Sequence, residues 1–437
     1  MATAEPTHDP ANRPRLWCVC EYYLPNFSGA AIQAHRILAR LVERGFPVSV
    51  LAMADQASLE LAGQSTRIDG VDVRYLPVLR QRSWGESGSS SRFQQRLRAV
   101  NRSLRDLSFQ LRQAWFFHRH ARPGDILQLY VVDDWTWLAV RVARWKRMRT
   151  VIQISLVGAD DPASFRPTWW GISTAWKAAC FRQVDRVIGL SRALTNSCFQ
   201  AGVPREKVLR IPNGVDLDAF PRATRVLRET RCRELGLDPA ATRIAFVGSA
   251  IRRKGIDIAV DAFRELARRR AEVELVVVGP NDFSDSTRHE AGRAALVAQL
   301  RQSLEQDGIG QRVRWAGQVD SALAAHYLQA SDIFFFPTRR EGLPNALAEA
   351  MATGLPCVAS HLEGITTDLI ESAEQGLLVA GESPGEYAEA LDLLCESAAT
   401  RDRMGHAARV RIERDFSLPS TVLQYERLYR QLLAASP

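Results

Sequence analysis

Short apolar runs and helical stretches alternate twice along this chain, and that alternation leaves few folds open. In the first half, Leu16–Cys20, Val48–Met53, Ile126–Leu129, Val151–Ile154 and Val187–Leu190 read as buried strands. Arg243–Val247, Leu275–Val278, Val313–Trp315, Ile333–Phe336 and Cys357–Ala359 repeat the pattern in the second. Stretches of helical period, such as Ala31–Glu43, lie between them. Strands alternating with helices predict parallel sheets covered by helices. A chain of 437 residues is long enough for two such domains with separate cores.

Composition narrows the setting. No run of about 18 apolar residues occurs, so no transmembrane helix is expected. The start, MATAEPTHDPANRPR, lacks the apolar centre of a signal peptide and reads as a disordered tail. The seven cysteines are scattered, with no metal-ligand spacing. They point to reduced, structural thiols in a cytoplasmic protein and give zinc no site. Residues 1–205 carry 28 Arg and Lys against 16 Asp and Glu, while the remainder carries 29 against 33. A basic first half beside a mildly acidic second predicts an anionic partner for the first alone. No helix-turn-helix, zinc or RNA-binding aromatic signature accompanies that charge, which argues against nucleic acid. An anionic membrane face or an anionic lipid-linked molecule fits better.

Chemistry concentrates in PTRREGLPNALAEAMATGLPCVAS. Pro344 and Asn345 signal a helix start, and Gly354 with Pro356 its stop. Glu341 then lies in the loop before the helix, and Glu349 on its second turn. A strand, loop and helix in this order aim backbone N–H groups and the positive end of a helix dipole at one spot, which suits a diphosphate. Carboxylates beside it can accept hydrogen bonds from sugar hydroxyls. Taken alone, Glu349 is equally a solvated glutamate on a short helix. A second cluster, GSAIRRKG at Gly248–Gly255, follows a strand directly. Its glycines permit sharp turns, and Arg253 with Lys254 can place two cations over a phosphate pair. A solvent-facing basic trio reads the same way in isolation, but open α/β sheets bind ligands at this end of a strand. SGAA at Ser28–Ala31 opens the first helix and would let a phosphate approach the backbone.

Residues 92–118 form a long amphipathic pattern, with Phe93, Leu97, Val100, Leu104, Leu107, Leu111 and Ala114 at intervals of four and three. Arginines, including Arg96, Arg98, Arg102 and Arg105, cover much of the rest. One reading buries the apolar stripe in the domain and leaves a solvated basic face. The other rests the basic face on anionic lipid headgroups, with Trp169, Trp170 and Trp176 extending the surface or lining an acceptor groove. The only biased patch, GESGSSS at 85–91, reads as a flexible loop.

Four segments together resemble the retaining glycosyltransferases of family 4, which use the two-domain GT-B architecture. They are PNFSGAAIQAHRILARLVERG, IPNGVDLDAF, FVGSAIRRKGIDIAVDAF and REGLPNALAEAMATGLPCVAS, in the family's order, within a resemblance running from Arg15 to Leu433. The fold implied is α/β, two Rossmann-like doubly wound domains facing each other across a cleft. Expected boundaries are a tail at 1–14, an acceptor-side domain at 15–218 completed by a returning helix at 419–437, and a nucleotide-sugar domain at 219–418. By resemblance, Glu341, Arg253 and Lys254 are catalytic, the two cations stabilising the departing nucleotide diphosphate. Gly29, Ala30, Ser249, Gly342, Leu343, Pro344, Asn345 and Glu349 bind the donor.

Two departures mark this chain. Ala30 stands where the family often has a second glycine, and Val157 stands in ISLVGADDP where many relatives carry a histidine. Asp160 and Asp161 are the only ionisable groups nearby and become candidates on the acceptor or sugar side. Either they or a backbone carbonyl take over part of the histidine's role, or the histidine is not essential to the step. The other histidines offer no replacement: His35, on the first helix, reads as structural. Asp216 and Asp218 match a metal-binding Asp-x-Asp pattern of another glycosyltransferase fold, but Asn213-Gly214 ahead of them makes a turn whose amides Asp216 can satisfy. No metal and no cofactor is expected. The implied function is sugar transfer from a nucleotide-sugar donor to a saccharide or lipid-linked acceptor, in cell-surface polysaccharide synthesis, from the cytoplasm or the cytoplasmic membrane face. The alternatives are a silent nucleotide-sugar-binding protein and a nucleotide-sugar epimerase of related fold. Release of free nucleotide diphosphate with a glycosylated product separates transfer from both.

Overall fold

The computed structural model describes residues 14–25, 29–54, 59–78, 92–130, 132–165, 172–280 and 293–434. It divides into two units, one running to Pro212 and taking up the chain again from Thr421, the other spanning Asn213–Ser420. The sequence expectation put the crossover a few residues later, after Asp218. The patch at 85–91 and Trp169 and Trp170 lie outside the described residues.

The first unit is built on eight strands: β1 (Leu16–Cys20), β2 (Val48–Met53), β3 (Ser65–Ile68), β4 (Val71–Leu76), β5 (Ile126–Leu129), β6 (Arg149–Ile154), β7 (Arg186–Gly189) and β8 (Val208–Arg210). Their order is β3-β4-β2-β1-β5-β6-β7-β8, parallel except where β3 meets β4. The central strands β1, β2 and β5 are buried at every residue, which is why they read as unbroken apolar runs. The sequence reading missed β3, β4 and β8. Edge strand β3 alternates exposed and half-buried residues, and β8 is short and half-exposed, so neither forms an apolar run.

The last helix, Leu418–Ala434, buries Val422, Tyr425, Tyr429 and Leu432, the residues whose three-and-four spacing predicted it. Tyr425 donates its hydroxyl to Gln153 Oε1 at 2.6 Å, Tyr429 donates to Gln128 Oε1, and Gln128 Nε2 donates to Gln153 at 3.0 Å. Those glutamines lie in β5 and β6, so the helix closes a polar network inside the first unit. Buried amides and hydroxyls need such partners.

The helix Arg92–His120 corrects the expected burial. Val100, Leu104 and Leu111, placed by their spacing on the buried stripe, are exposed by 37%, 48% and 52%. The helix instead turns Arg105, Phe109, Gln110, Gln113, Phe116 and Phe117 inward. Phe116 and Phe117 pack edge-on against Trp17 of β1 at 5.3 and 6.1 Å, and two aromatic rings outweigh the leucine stripe. Arg105, assigned to the basic membrane-facing surface, is buried and paired with Asp106 at 2.5 Å and Glu21 at 3.0 Å. Leu111→Gln should therefore change unfolding free energy by less than about 0.5 kcal/mol. A larger loss in denaturant unfolding would mean that the stripe is covered.

The second unit holds β9 (Thr242–Val247), β10 (Val273–Val278), β11 (Val313–Gly317), β12 (Ile333–Phe336), β13 (Cys357–Ser360) and β14 (Leu377–Val379). Their order is β11-β10-β9-β12-β13-β14, and every pairing is parallel. This is the doubly wound order 3-2-1-4-5-6, in which winding reverses between β9 and β12. Ile244 and Phe246 of β9, Phe335 of β12 and Phe263 of the helix Ile256–Ala267 share one buried core.

Candidate active site

At a topological switch point, the loops after the two flanking strands diverge to opposite faces and leave a crevice at the sheet's carboxyl edge. The two chemical clusters read from the sequence leave β9 and β12, the strands that flank it. After β9, Gly248 takes φ +153°, Arg252–Lys254 form one 3-10 turn, and Gly255 at φ +78° starts the helix Ile256–Ala267. After β12, Pro337–Leu343 lead to Pro344, which caps the helix Asn345–Thr353 without a side-chain acceptor. Its first-turn amides therefore have no side-chain cap.

The two loops are tied together. Arg339 N donates to Arg253 O at 2.9 Å, and Thr338 Oγ1 lies 3.2 Å from the same oxygen. A Cβ on Gly255 would sit 1.8 Å from Pro337 O, so only glycine lets the loops approach this closely. Gly279, after β10, is pressed similarly against the carbonyl of Gly248.

Within this framework Lys254 Nζ donates to Glu341 Oε1 at 2.6 Å, Thr338 Oγ1 donates to the same oxygen at 3.0 Å, and Arg253 lies 3.6 Å away. Glu341 is only 6% exposed. A carboxylate so deeply placed is stable because two cations and a hydroxyl surround it. Lys254 is held further by the face of Phe336, 5.7 Å from its ammonium. Arg253 Nη1 donates to Arg340 O at 3.0 Å. Arg252, in contrast, is exposed and pairs with Asp257 at 3.0 Å.

The structure thus brings Glu341, Arg253 and Lys254 together. Gly342, Leu343 and Pro344 are buried beside them, Ser249 is half-buried on the β9 loop, and Glu349 is half-exposed on the second turn of the following helix. Asn345, at the first helical position, accepts from Asn213 Nδ2 at 2.9 Å. Thr338 was not singled out from sequence, and Asn213 was read only as a turn residue. Thr338 reaches Arg253 and Asn213 reaches Asn345 across 85 and 132 residues, and no local pattern carries that.

The remaining site candidates, Gly29, Ala30, Asp160 and Asp161, lie in the first unit. Gly29 and Ala30 are exposed at the start of the helix Gly29–Glu43. Asp160 accepts from Ser155 N at 2.7 Å, Ser155 Oγ at 2.9 Å and Leu156 N at 2.8 Å. Asp161 accepts from Gly158 N at 2.5 Å, Ser164 Oγ at 2.7 Å and Ser197 Oγ at 2.8 Å. Both carboxylates brace the loop that carries Val157. His35 bridges Tyr23 and Asp69 at 2.8 and 2.9 Å, a structural arrangement. Asp216 Oδ1 accepts from the amides of Asp218 and Ala219, the turn role expected of it. Asp133, after β5, went unnoticed in the run VVDDW. Burial pushes its carboxyl up to about 6, against the lowering hydrogen bond from Gln110.

A doubly wound sheet with charged loops at its switch point defines the class of α/β protein that binds ligands at that edge. A model of glycosyl transferases group 1 matches residues 228–411, and a model of the glycosyl transferase 4-like domain matches residues 28–214. Together they span most of the sequence, and the chain belongs to the family 4-like glycosyltransferases of GT-B fold. A D-inositol 3-phosphate glycosyltransferase of Corynebacterium glutamicum is 31% identical over 236 residues, 52% of this chain and 53% of the relative. The chain thus spans about half the length of the curated relatives it matches. Among solved structures, Anabaena HepE in complex with UDP superposes with a TM-score of 0.74 at 17% identity, covering 95% of this chain and all of that one. WaaG, a glycosyltransferase involved in lipopolysaccharide biosynthesis, superposes at 0.67 with 17% identity, covering 96% and all of that chain.

Proposed function

We propose that this protein is a retaining glycosyltransferase that moves a sugar from a nucleotide-sugar donor to a saccharide or lipid-linked acceptor without a metal ion. The observation that carries the reading is the convergence of Lys254, Arg253 and Glu341 at the switch point. A nucleoside diphosphate leaving group builds negative charge on its departing oxygen. Two cations already fixed by protein contacts stabilise that charge with little reorganisation. The uncapped start of the helix Asn345–Thr353 supplies amides for the same anion. Glu349 takes the ribose hydroxyls, and Glu341 faces the donor sugar while holding Lys254 in place. The departing phosphate then accepts the proton of the incoming hydroxyl on the same face of the sugar, which retains configuration. The UDP in the HepE complex supports a nucleoside diphosphate as the class of leaving group.

On the acceptor side we assign the first unit, with its excess of Arg and Lys, and place the work in cell-surface polysaccharide synthesis at the cytoplasmic face of an anionic membrane. No helix of the described residues is long and apolar enough to cross a membrane. Contact is therefore expected to be peripheral, with exposed Leu104, Leu111 and Trp115 at the surface.

The experiment is a nucleotide-sugar panel, scored by release of free nucleoside diphosphate together with a glycosylated product. Binding without release would favour a silent sugar-nucleotide-binding protein. A changed sugar with no transfer would favour an epimerase. Within that assay, Glu349→Gln is expected mainly to raise the donor KM, and Glu341→Gln mainly to lower kcat. If both changes weaken donor affinity equally, with no separate effect on rate, the two roles are not divided in this way.

A further inference from the structure

The first unit contains a basic concavity built from residues that take no part in the donor site. A cavity of about 510 Å³ is lined by Arg74 of β4 and by Arg112, Trp115, Phe116, Arg119 and His120 of the helix Arg92–His120. Among the described residues none of these three arginines has a carboxylate partner. Asp72, two residues before Arg74 on the same strand, is taken by Arg15 and Arg67 at 3.6 and 3.8 Å. Several other arginines of the unit do have carboxylate partners, as Arg105 with Glu21 and Arg149 with Asp185. The end of a helix attracts cations, and that accounts for Arg119 in the last turn. It does not account for Arg112, more than a turn earlier, or for Arg74 on a strand.

The guanidinium groups are also posed. Arg74 lies over the ring of Phe116 at 5.4 Å and Arg119 over that of Trp115 at 5.1 Å. A guanidinium stacked on a ring keeps its edge N–H donors free in a plane, the geometry that grips phosphate through two parallel hydrogen bonds. Burial, then Arg74 and Arg119, hold His120 below the ordinary histidine range, as expected where positive charges gather without a counter-charge.

We propose that Arg74, Arg112 and Arg119 form a binding site for a phosphate group, separate from the donor site in the second unit. The cavity is large enough for a phosphate with its ester substituent, and the aromatic rings offer a face to that substituent. Trp115 of its lining is exposed by 59%, and Leu111, one helical turn earlier, is exposed by 52%. The phosphate therefore has two sources to be told apart, a lipid headgroup in an anionic bilayer and a free phosphorylated molecule.

Two arms test this on the full chain. In the first, radiolabelled inorganic pyrophosphate is titrated by equilibrium dialysis. The wild type is expected to bind at two places, and Arg112→Gln/Arg119→Gln should lose one while Arg253→Ala/Lys254→Ala loses the other. Should the donor assignment fail, the wild type would bind at one place only, and the first variant would remove it. In the second arm, flotation with phosphatidylglycerol–phosphatidylcholine vesicles at low salt is compared with phosphatidylcholine alone. Anionic vesicles should carry the wild type, and partition should fall roughly 5-fold for each arginine replaced. Loss in the vesicle arm alone names a headgroup as the source; loss in the pyrophosphate arm alone names a free phosphorylated molecule. Arg112 and Arg119 are exposed, so the variant should unfold at the wild-type temperature, and Arg74→Gln, on a different element, should give the same loss. Unchanged pyrophosphate binding together with unchanged flotation in these variants would overturn the proposal.

Discussion

Replacing Lys254 by alanine is expected to lower turnover of the nucleotide-sugar donor about 100-fold or more, with the same result for Arg253→Ala, in buffer containing EDTA. That scale is typical of losing one fixed stabiliser of a developing charge. The two changes should differ in their side effects. Lys254 makes the 2.6 Å contact to Glu341, whose side chain is 8% exposed, so its loss leaves that carboxylate with Thr338 and the more distant Arg253. Lys254→Ala should therefore lower the unfolding temperature as well, whereas Arg253→Ala, on a half-exposed side chain, should not. Measuring release of nucleoside diphosphate beside thermal unfolding separates the chemical loss from the structural one. Wild-type rates in both variants, or loss of wild-type activity on adding EDTA, would defeat the assignment.

Gly255→Ala should produce the largest loss of stability among single changes at this site. At φ +78° an alanine costs about 1 kcal/mol in backbone strain alone. Its Cβ would also fall 1.8 Å from Pro337 O and 2.7 Å from Pro337 C, atoms of the backbone that cannot swing aside. The β9 and β12 loops must then part, breaking the contacts among Arg253, Thr338 and Arg339. A total of roughly 3 kcal/mol or more is expected, with donor binding lost in parallel. Gly236 is the control. It has φ +63° and nothing within 4 Å of an added Cβ, so alanine there should cost only the backbone term. Equal losses at the two glycines would show that the loops can separate freely.

Much of the second unit was legible because its strand ends, its helix caps and each of its two loop clusters are local. The strand ends, the capping glycine Gly354 and the helix that carries Glu349 lie within one stretch of chain, and each end signal works over a few residues. Strand order was not legible. Nothing near Ile244 or Phe334 reveals that β9 and β12 are neighbours, yet that pairing puts Lys254 on Glu341. The helix Arg92–His120 failed for another reason. Periodicity identifies a face, but here two apolar faces competed, and the aromatic one won the core. Asp160 and Asp161 show the same limit for polar groups. Sequence marks a carboxylate, but it does not show that Asp160 accepts from Ser155 and Leu156, or Asp161 from Gly158, Ser164 and Ser197.

The tyrosines of the last helix bear on how the molecule comes into being. Tyr425 and Tyr429 reach back 272 and 301 residues to Gln153 and Gln128. During synthesis, the first two hundred residues leave the ribosome long before the segment that completes their polar interior. Asn213–Ser420, an uninterrupted stretch, needs no such delay. The later-made unit is thus free to finish first, while the earlier-made one waits with two buried amides short of their partners. Closing so long a span carries an entropic penalty and slows assembly. A chain cut before Thr421 should keep a folded second unit and a first unit open to protease.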